Sequence, residues 1–230
     1  MSQAKAEFRI VRDVFIPLGK TQLEGELNIP LGASGIVLFA HGSGSSRHSP
    51  RNKYVARTLH DSYIGTMLFD LLTQEEEEEE KYTRHLRFDI DLLAKRLVYA
   101  TNWIKKQGDV QTLPIGFFGS STGAAAALVA AAELGEQVAV VVSRGGRPDL
   151  AGASLPKVKA PTLLIVGERD EQVISLNLDA YRQLQCDKNM EIVDRATHLF
   201  EEPGALEEVA RLAAGWFKRH FESKPRPAES

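Results

Sequence analysis

The sequence predicts an α/β protein with a mostly parallel sheet and helices on both faces. Short, continuous apolar segments such as Ile36–Ala40 and Val138–Val142 are typical of strands that are buried on both faces. Segments with helical periodicity separate these runs, and that alternation is typical of strand–helix–strand units. The 230 residues contain no linker-like change of composition, so residues 1–221 are predicted to form a single domain.

An antiparallel hairpin is predicted to open the chain. Phe8–Pro17 and Thr21–Pro30 alternate apolar and polar residues on either side of a Leu-Gly-Lys turn. Apolar runs predict six further strands, at Ile36–Ala40, Thr66–Leu71, Ile115–Phe118, Val138–Val142, Thr162–Val166 and Met190–Val193.

Helical spacing of apolar residues predicts five helices. They cover Arg51–Ser62, Lys81–Lys106, Thr122–Leu134, Ser175–Gln185 and Ala205–Phe221. The acidic run Glu75–Glu80 is predicted to be a solvated loop or the first turn of a helix, where acids complement the helix dipole. A cation site in this run is the less favoured alternative, because like charges in a row repel one another into water. Residues 222–230 contain two prolines and no apolar run, and we expect this tail to be disordered.

Composition excludes several classes of protein. The 31 acidic and 28 basic side chains give a net charge of −3, which does not suit a nucleic-acid partner. With one cysteine, Cys186, the chain has no internal disulfide and no Cys/His pattern of a metal site, so no metal or other cofactor is predicted. The longest apolar run, Ala124–Ala132, has nine residues and is too short to cross a bilayer. Because the N-terminus also lacks the apolar core of a signal peptide, we expect a cytoplasmic protein with no membrane partner.

The segment Gly119-Ser120-Ser121-Thr122-Gly123 lies between a predicted strand and a predicted helix. Such a Gly-x-Ser-x-Gly turn can hold a serine hydroxyl on a sharp elbow at the helix N-terminus. The two glycines remove side chains where the strand and helix backbones crowd together. Free N–H groups and the positive end of the helix dipole suit a nucleophile whose attack creates an oxyanion. Ser121 is therefore the candidate nucleophile.

An acid and a histidine follow later strands of the same predicted sheet. Asp170 follows strand Thr162–Val166, and His198 follows strand Met190–Val193. Because the carboxyl ends of parallel strands share one edge, Ser121, Asp170 and His198 are predicted to form a catalytic triad. The backbone N–H groups of Ser43, in a glycine-rich loop, and Thr122 are the candidate oxyanion donors.

Each of these features has a simpler explanation when taken alone. A Gly-x-Ser-x-Gly segment is often only a tight turn, and Asp170 could cap the helix that follows it. Their order and their strand-end positions together favour catalysis. Asp149 also follows a strand and is the alternative triad acid, although the Gly-x-x-Asp context favours Asp170.

Several arginines are predicted near the same edge. Arg144, with Arg47, is a candidate to bind a substrate carboxylate through paired hydrogen bonds. Ion pairing with neighbouring acidic residues is an equally good interpretation of both arginines.

On these motifs the chain resembles an α/β hydrolase of the dienelactone hydrolase-like group, over nearly its whole length. The segments that carry the resemblance are His41-Gly42-Ser43-Gly44, Gly119–Gly123, Gly167-Glu168-Arg169-Asp170 and Thr197-His198-Leu199-Phe200. The segments Asp70–Glu75 and Ser143–Asp149 are similar to a narrower subgroup of small bacterial members. The resemblance implies an eight-stranded sheet whose first hairpin supplies the antiparallel strand. Domains of this group also occur in fusions, so the chain can equally be one part of a longer protein.

The nucleophile departs from the family pattern. The resemblance places a cysteine at this position in the name-giving dienelactone hydrolases, whereas this chain has Ser121. We expect Cys186 to lie in a helix, far from the elbow in sequence, as a small packed residue. The sequence therefore predicts a serine hydrolase of small carboxylic esters that works through an acyl-enzyme. A thioesterase, a lactone hydrolase, a peptidase and a non-catalytic binding domain on the same fold are the alternatives. Val142 and Thr162 are too close in sequence for a lid, so an open site is predicted.

Overall fold

A computed structural model describes residues 6–108 and 110–222, and its centre is an eight-stranded sheet. The strands are β1 Phe8–Leu18, β2 Thr21–Pro30, β3 Ile36–Ala40, β4 Gly65–Phe69, β5 Ile115–Ser120, β6 Val138–Arg144, β7 Thr162–Gly167 and β8 Lys188–Val193. Their order in the sheet is β1-β2-β4-β3-β5-β6-β7-β8. β2 pairs antiparallel with both β1 and β4, whereas the pairs from β4 to β8 are parallel. The predicted mostly parallel sheet with an antiparallel hairpin strand is confirmed.

Helices cover both faces of the sheet, as predicted. They are α1 Pro50–Asp61, α2 Gln74–Thr83, α3 Ile90–Ile104, α4 Thr122–Leu134, α5 Glu171–Gln183 and α6 Ala205–Glu222. α1 and α6 pack on one face, through residues such as Leu59 and Phe217. α3, α4 and α5 pack on the other face, through residues such as Leu97, Leu128 and Ala180. This two-sided burial explains the continuous apolar sequences of the central strands, whose residues are all buried.

The connection between β6 and β7 is short. It contains a 3₁₀ segment, Pro148–Lys157, which is interrupted at Gly152, where φ is +47°. This connection therefore carries no long insertion that could act as a lid, in agreement with the sequence.

The prediction of one helix over Lys81–Lys106 is wrong. The segment is divided into α2, a 3₁₀ turn at Leu86–Phe88, and α3. α2 begins at a capping box in which the Thr73 hydroxyl accepts from the N–H of Glu76, while the Glu76 carboxylate accepts from the N–H of Thr73. It ends at Arg84, which adopts the left-handed conformation with φ of +54°. Asp89 then caps α3 by accepting a hydrogen bond from the N–H of Leu92.

The acidic run Glu75–Glu80 lies in α2 and is not uniformly solvated. The side chain of Glu80 is completely buried and accepts hydrogen bonds from Arg87 Nε and the N–H of Leu86, at 2.7 and 2.8 Å. Burial alone would raise the pKa of Glu80, but these hydrogen bonds and the Arg87 charge hold that pKa below its ordinary value. The expectation of a solvated segment is therefore wrong for this residue.

Three further predictions concern the start of α5, the position of Cys186 and the C-terminal tail. α5 begins at Glu171, directly after Asp170, and not at Ser175. Cys186 lies in the turn between α5 and β8, where it is half-buried against the core, as a packed residue should be, although it is outside a helix. α6 includes Glu222, and the rest of the predicted disordered tail, residues 223–230, lies outside the described residues.

In the part of the chain that the structure describes, every helix is too short or too polar to cross a bilayer.

Buried His60 makes the stability of the fold depend on pH. It lies in the last turn of α1, where its Nε2 forms a 2.8 Å hydrogen bond with Thr66 Oγ1, and burial lowers its pKa from 6.5 to about 4. Between pH 4 and 6.5 the unfolded chain therefore binds more protons than the folded one, so stability is retained above pH 6.5 and falls as pH decreases. We expect His60 to account for a loss of about 2 kcal/mol in the free energy of unfolding between pH 7 and pH 5.

Urea denaturation at both pH values checks this prediction. The His60→Gln variant should show a smaller loss than the wild type, because glutamine does not take up a proton in this range. His48→Gln is the matched control, since the His48 side chain is 60% exposed, and it should keep the wild-type dependence. An identical pH dependence in wild type and His60→Gln would contradict the prediction.

Candidate active site

Ser121 lies on a strained turn between β5 and α4. Its backbone has φ of +52° and ψ of −124°, a conformation that side-chain-bearing residues rarely adopt. The turn is held by backbone hydrogen bonds from the N–H of Ser121 to Arg144 O, at 3.4 Å, and from the N–H of Arg147 to Ser121 O, at 3.1 Å. The residue is therefore fixed at the carboxyl edge of the sheet, where α4 starts.

The two glycines of the motif are required by close backbone contacts. A Cβ atom at Gly119 would lie 2.4 Å from Ala124 Cα, and one at Gly123 would lie 2.2 Å from Ala40 O. Real Cβ atoms do not approach backbone atoms this closely. The crowding of strand and helix that the sequence implied is thus the reason for both glycines.

Asp170 and His198 form the central contact of the site. Oδ2 of Asp170 and Nδ1 of His198 are 2.6 Å apart. Asp170 stands at the N-cap of α5 but makes no side-chain capping hydrogen bond, so the simpler explanation of this residue as a helix cap does not hold. Because Nδ1 is engaged by the carboxylate, Nε2 is the nitrogen of His198 left for a proton donor.

Several contacts hold the loop of His198 against the neighbouring strand ends. The carboxylate of Glu202 accepts from the N–H of Thr197 at 3.1 Å, and that of Glu168 accepts from the N–H of Arg195 at 2.7 Å. A Cβ at Gly145, just after β6, would lie 3.1 Å from His198 O and 3.6 Å from His198 Cε1. The histidine therefore lies directly beside the strand end that also binds the backbone of Ser121.

The structure thus brings Ser121, Asp170 and His198 to one edge of the sheet. Within the described part of the chain, the Ser121 hydroxyl makes no hydrogen bond, whereas the Asp170–His198 bond is already formed. In ligand-free hydrolases the nucleophile–base hydrogen bond is often long and tightens only when substrate binds.

The candidate oxyanion donors, Ser43 and Thr122, lie in contact with each other. The N–H of Ser43 donates to Thr122 Oγ1 at 3.1 Å, and the two hydroxyl oxygens are 3.0 Å apart. The N–H of Ser43 is therefore engaged by Thr122 Oγ1 here, while the Thr122 N–H lies at the first residue of α4. A Cβ at Gly42 would lie 2.9 Å from Ser121 Cβ, so the glycine-rich loop directly flanks the candidate nucleophile.

His41 supports that loop through both nitrogens of its ring. Its Nε2 accepts from the N–H of Leu71 at 3.1 Å, and its Nδ1 lies 3.1 Å from Gly42 O. Burial lowers the pKa of His41, while the Gly42 hydrogen bond and the charge of Asp70 act in the opposite direction. A neutral ring with a proton on Nδ1 satisfies both contacts.

The candidate anion-binding arginines differ from each other. The Arg47 guanidinium pairs with Asp70 and with Glu24, the latter at 2.7 Å, so ion pairing is the interpretation that its contacts favour. Arg144 is buried at the end of β6, and no ion pair to it occurs among the described residues. The alternative acid, Asp149, is engaged by Arg147 through two hydrogen bonds of 2.8 and 2.9 Å.

Sequence reasoning missed the residues that cover the glycine-rich loop. Arg87 accepts a hydrogen bond from the Ser43 hydroxyl through its carbonyl oxygen, at 3.4 Å, and its Nη1 would lie 3.3 Å from a Cβ at Gly44. A small pocket forms here, lined by His41, Gly42, Ser43, Gly44, Ser45, Leu72, Glu77, Arg87 and Leu93. Asp89, the N-cap of α3, was the sequence signal that could have shown where α3 begins and so placed Arg87 in the turn before it.

A serine on a strand–helix elbow, with the acid and the histidine supplied by the last two strand ends, is the arrangement of the α/β-hydrolase class. The sequence agrees, because the alpha/beta hydrolase domain family matches residues 33–211, and the chain belongs to this family. The eight-stranded sheet, with an antiparallel strand supplied by the first hairpin, is the one that the resemblance implied.

One solved structure is similar in both sequence and fold. It is the dienelactone hydrolase from Anabaena variabilis, with 61% identity and a TM-score of 0.90, covering 92% of this chain and 98% of that one. The chain is therefore dienelactone hydrolase-like. Est1E from Butyrivibrio proteoclasticus has a TM-score of 0.76 at 15% identity, covering 92% of this chain and 99% of that one, which shows a shared fold.

A curated relative from Mycobacterium tuberculosis is 54% identical over 209 residues and is provisionally named a phosphoribosyl transferase. The match covers 91% of this chain but only 46% of the relative. The chain thus spans about half the length of the curated relatives it matches.

Proposed function

We propose that this protein is a serine hydrolase of small carboxylic esters, with Ser121 as nucleophile, His198 as general base and Asp170 as the residue that orients it. The observation that carries the proposal is the 2.6 Å contact between Asp170 Oδ2 and His198 Nδ1, at the same sheet edge as the strained Ser121 turn. Family membership and the 61% identical dienelactone hydrolase support hydrolytic chemistry.

In the proposed reaction, Ser121 Oγ attacks the ester carbonyl carbon while His198 Nε2 takes the hydroxyl proton. The resulting oxyanion is stabilised by backbone N–H groups, for which Thr122 and Ser43 are the candidates. The tetrahedral intermediate expels the alcohol, which receives the proton from His198, and an acyl-Ser121 ester remains. Water then attacks this ester, again with His198 as base, and releases the carboxylic acid and free Ser121.

For Ser43 to act as a donor, its N–H must turn from Thr122 Oγ1 toward the substrate oxygen. The Thr122 hydroxyl lies within reach of both the N–H and the hydroxyl of Ser43, so it can keep one contact while losing the other. The Thr122 N–H needs no such change, because it belongs to the first turn of α4 and has no helical acceptor.

Lactones are the second candidate substrates. A lactone is a cyclic ester and is cleaved by the same steps, and the similar solved structure carries the name dienelactone hydrolase. The curated relatives that are named phosphoribosyl transferases are about twice as long as the matched region, which is 46% of their length. Their name therefore does not define the activity of this chain.

A fluorophosphonate probe tests the nucleophile. The wild type should be labelled at Ser121, and Ser121→Ala should not be labelled, because the probe reacts with an activated serine hydroxyl. Ser175→Ala, which changes an exposed serine on α5, is the matched control and should label like the wild type. A folded wild type that never labels, and that cleaves no member of a panel of esters, thioesters and lactones, would favour a non-catalytic binding domain.

A further inference from the structure

Arg144 occupies an unusual position for a charged residue. It is the last residue of β6 and pairs in register with Ser120, the residue before the candidate nucleophile. It lies two residues after Val142, which packs in the cluster formed with α1 and α6, so the alternation of a strand places both side chains on that face. Only 8% of Arg144 is exposed, and its guanidinium is therefore largely removed from water.

The guanidinium of Arg144 lacks the partners that a buried cation requires. Its Nε and Nη1 atoms are buried and make no hydrogen bond to any described residue. Burial, and to a smaller extent the positive charge of Arg51, lower the pKa of Arg144 to about 10. Arg51 lies in the first turn of α1, and its own Nε is likewise buried with no hydrogen-bond partner among the described residues. Two guanidinium groups thus repel each other in a region where neither is fully satisfied.

Other partly buried arginines of the chain do have carboxylate partners. Arg47 pairs with Asp70, Arg87 with Glu80 and Arg96 with Glu76. Within the described chain Arg51 has one ion pair, with Glu201 at 3.2 Å, and this pair lies toward solvent. A buried charge without a partner is unfavourable for folding, so its presence points to a ligand that supplies the missing negative charge.

We propose that Arg144 and Arg51 form an anion subsite that binds an acidic group, a carboxylate or a phosphate, on the substrate cleaved at Ser121. This inference rests on the proposed hydrolase function and adds the substrate class to it. The subsite adjoins the candidate catalytic residues, because Arg144 O accepts from the N–H of Ser121, and a Cβ on the next residue, Gly145, would lie 3.1 Å from His198 O. Guanidinium groups offer paired N–H donors that match the oxygens of either anion.

Binding of the free anion tests the subsite without any catalysis. Thermal unfolding is measured with added inorganic phosphate or succinate, against sodium chloride at equal ionic strength. Either anion should raise the melting temperature of the wild type, and Arg144→Met should abolish that shift. The anion that stabilises at the lower concentration distinguishes phosphate from carboxylate. Without added anion, Arg144→Met should be at least as stable as the wild type, because a buried unpaired charge has been removed.

Two variants complete the binding experiment. Arg57→Met removes an exposed arginine from the same helix as Arg51 and should keep the full anion response. Arg144→Lys keeps the charge but loses the paired donors, so it should respond weakly. If neither anion raises the melting temperature of the wild type, or if the rise persists in Arg144→Met, the proposal of an anion subsite is wrong.

Matched esters then test the link to the reaction. Mono(4-nitrophenyl) succinate and 4-nitrophenyl butyrate differ in one end group, a carboxylate in place of a methyl group. Arg144→Met should lower kcat/KM for the succinate ester about 10- to 100-fold and change that for the butyrate ester by less than about threefold. An equal loss on both esters overturns the assignment. If the wild type cleaves neither ester, the proposed function fails, while the binding experiment still decides the subsite.

Discussion

Replacing Asp170 by asparagine is expected to lower kcat for ester hydrolysis by about 10⁴-fold, with little change in KM. The carboxylate of Asp170 holds Nδ1 of His198 at 2.6 Å and so fixes the proton on that nitrogen. Asparagine is similar in shape but can present an N–H to Nδ1, which favours the wrong tautomer and leaves Nε2 unable to accept the Ser121 proton. It also removes the negative charge that stabilises the imidazolium ion as it forms.

Asp149→Asn is the matched control for this experiment. Asp149 was the alternative acid, but its carboxylate is engaged by Arg147 through two hydrogen bonds. We therefore expect Asp149→Asn to keep kcat within about threefold of the wild type. Steady-state kinetics on a 4-nitrophenyl ester, with circular dichroism to check folding, measures both variants. A large loss in Asp149→Asn combined with a small loss in Asp170→Asn would reverse the assignment of the triad acid.

Replacing Gly123 by alanine is expected to lower the free energy of unfolding by about 3 kcal/mol. The added Cβ would lie 2.2 Å from Ala40 O and 2.5 Å from His41 O, both of which are backbone atoms at the end of β3. α4 cannot relieve the overlap without moving away from the sheet, which would loosen the core and displace the Ser121 turn. Urea denaturation followed by circular dichroism measures the change.

Gly215→Ala is expected to change the free energy of unfolding in the direction opposite to Gly123→Ala. Gly215 lies inside α6, and a Cβ at this position would meet no atom within 4 Å. Because alanine stabilises a helix interior relative to glycine, Gly215→Ala should raise the free energy of unfolding by about 0.5–1 kcal/mol. Equal effects of the two substitutions would show that close contact is not the reason for Gly123.

The sequence was sufficient to predict the sheet, the Ser121 turn and the strand-end positions of Asp170 and His198. These features depend on local patterns, and the parallel topology then brings separate strand ends to one edge without further information. The structure shows the Asp170–His198 contact that this reasoning anticipated. The donor role of the Ser43 N–H remains a prediction, because that N–H is bonded to Thr122 Oγ1.

Features that depend on tertiary contacts could not be predicted in the same way. Arg47 and Arg144 looked alike in sequence, yet Arg47 pairs with Glu24 of β2 and with Asp70, the residue after β4. Arg144 pairs with no acid in the described chain. Only the three-dimensional arrangement decides which acids reach a long, flexible side chain. The division into α2 and α3 was different, since it had local signals: Thr73 marks the start of α2 and Asp89 marks the start of α3. The apolar periodicity of the segment obscured both signals.

The six glutamates at 75–80 are identical in sequence but not in their surroundings. Glu76 and Glu80 are four residues apart, so they lie on the same face of α2, which packs against the protein. Glu76 pairs with Arg96, and Glu80 pairs with Arg87. Glu78 lies on another face and is exposed. Each helical residue advances the direction of its side chain by about 100°. Gain or loss of a single glutamate would leave the segment acidic but would rotate the buried carboxylate by about 100°, away from Arg87 and the loop that Arg87 supports.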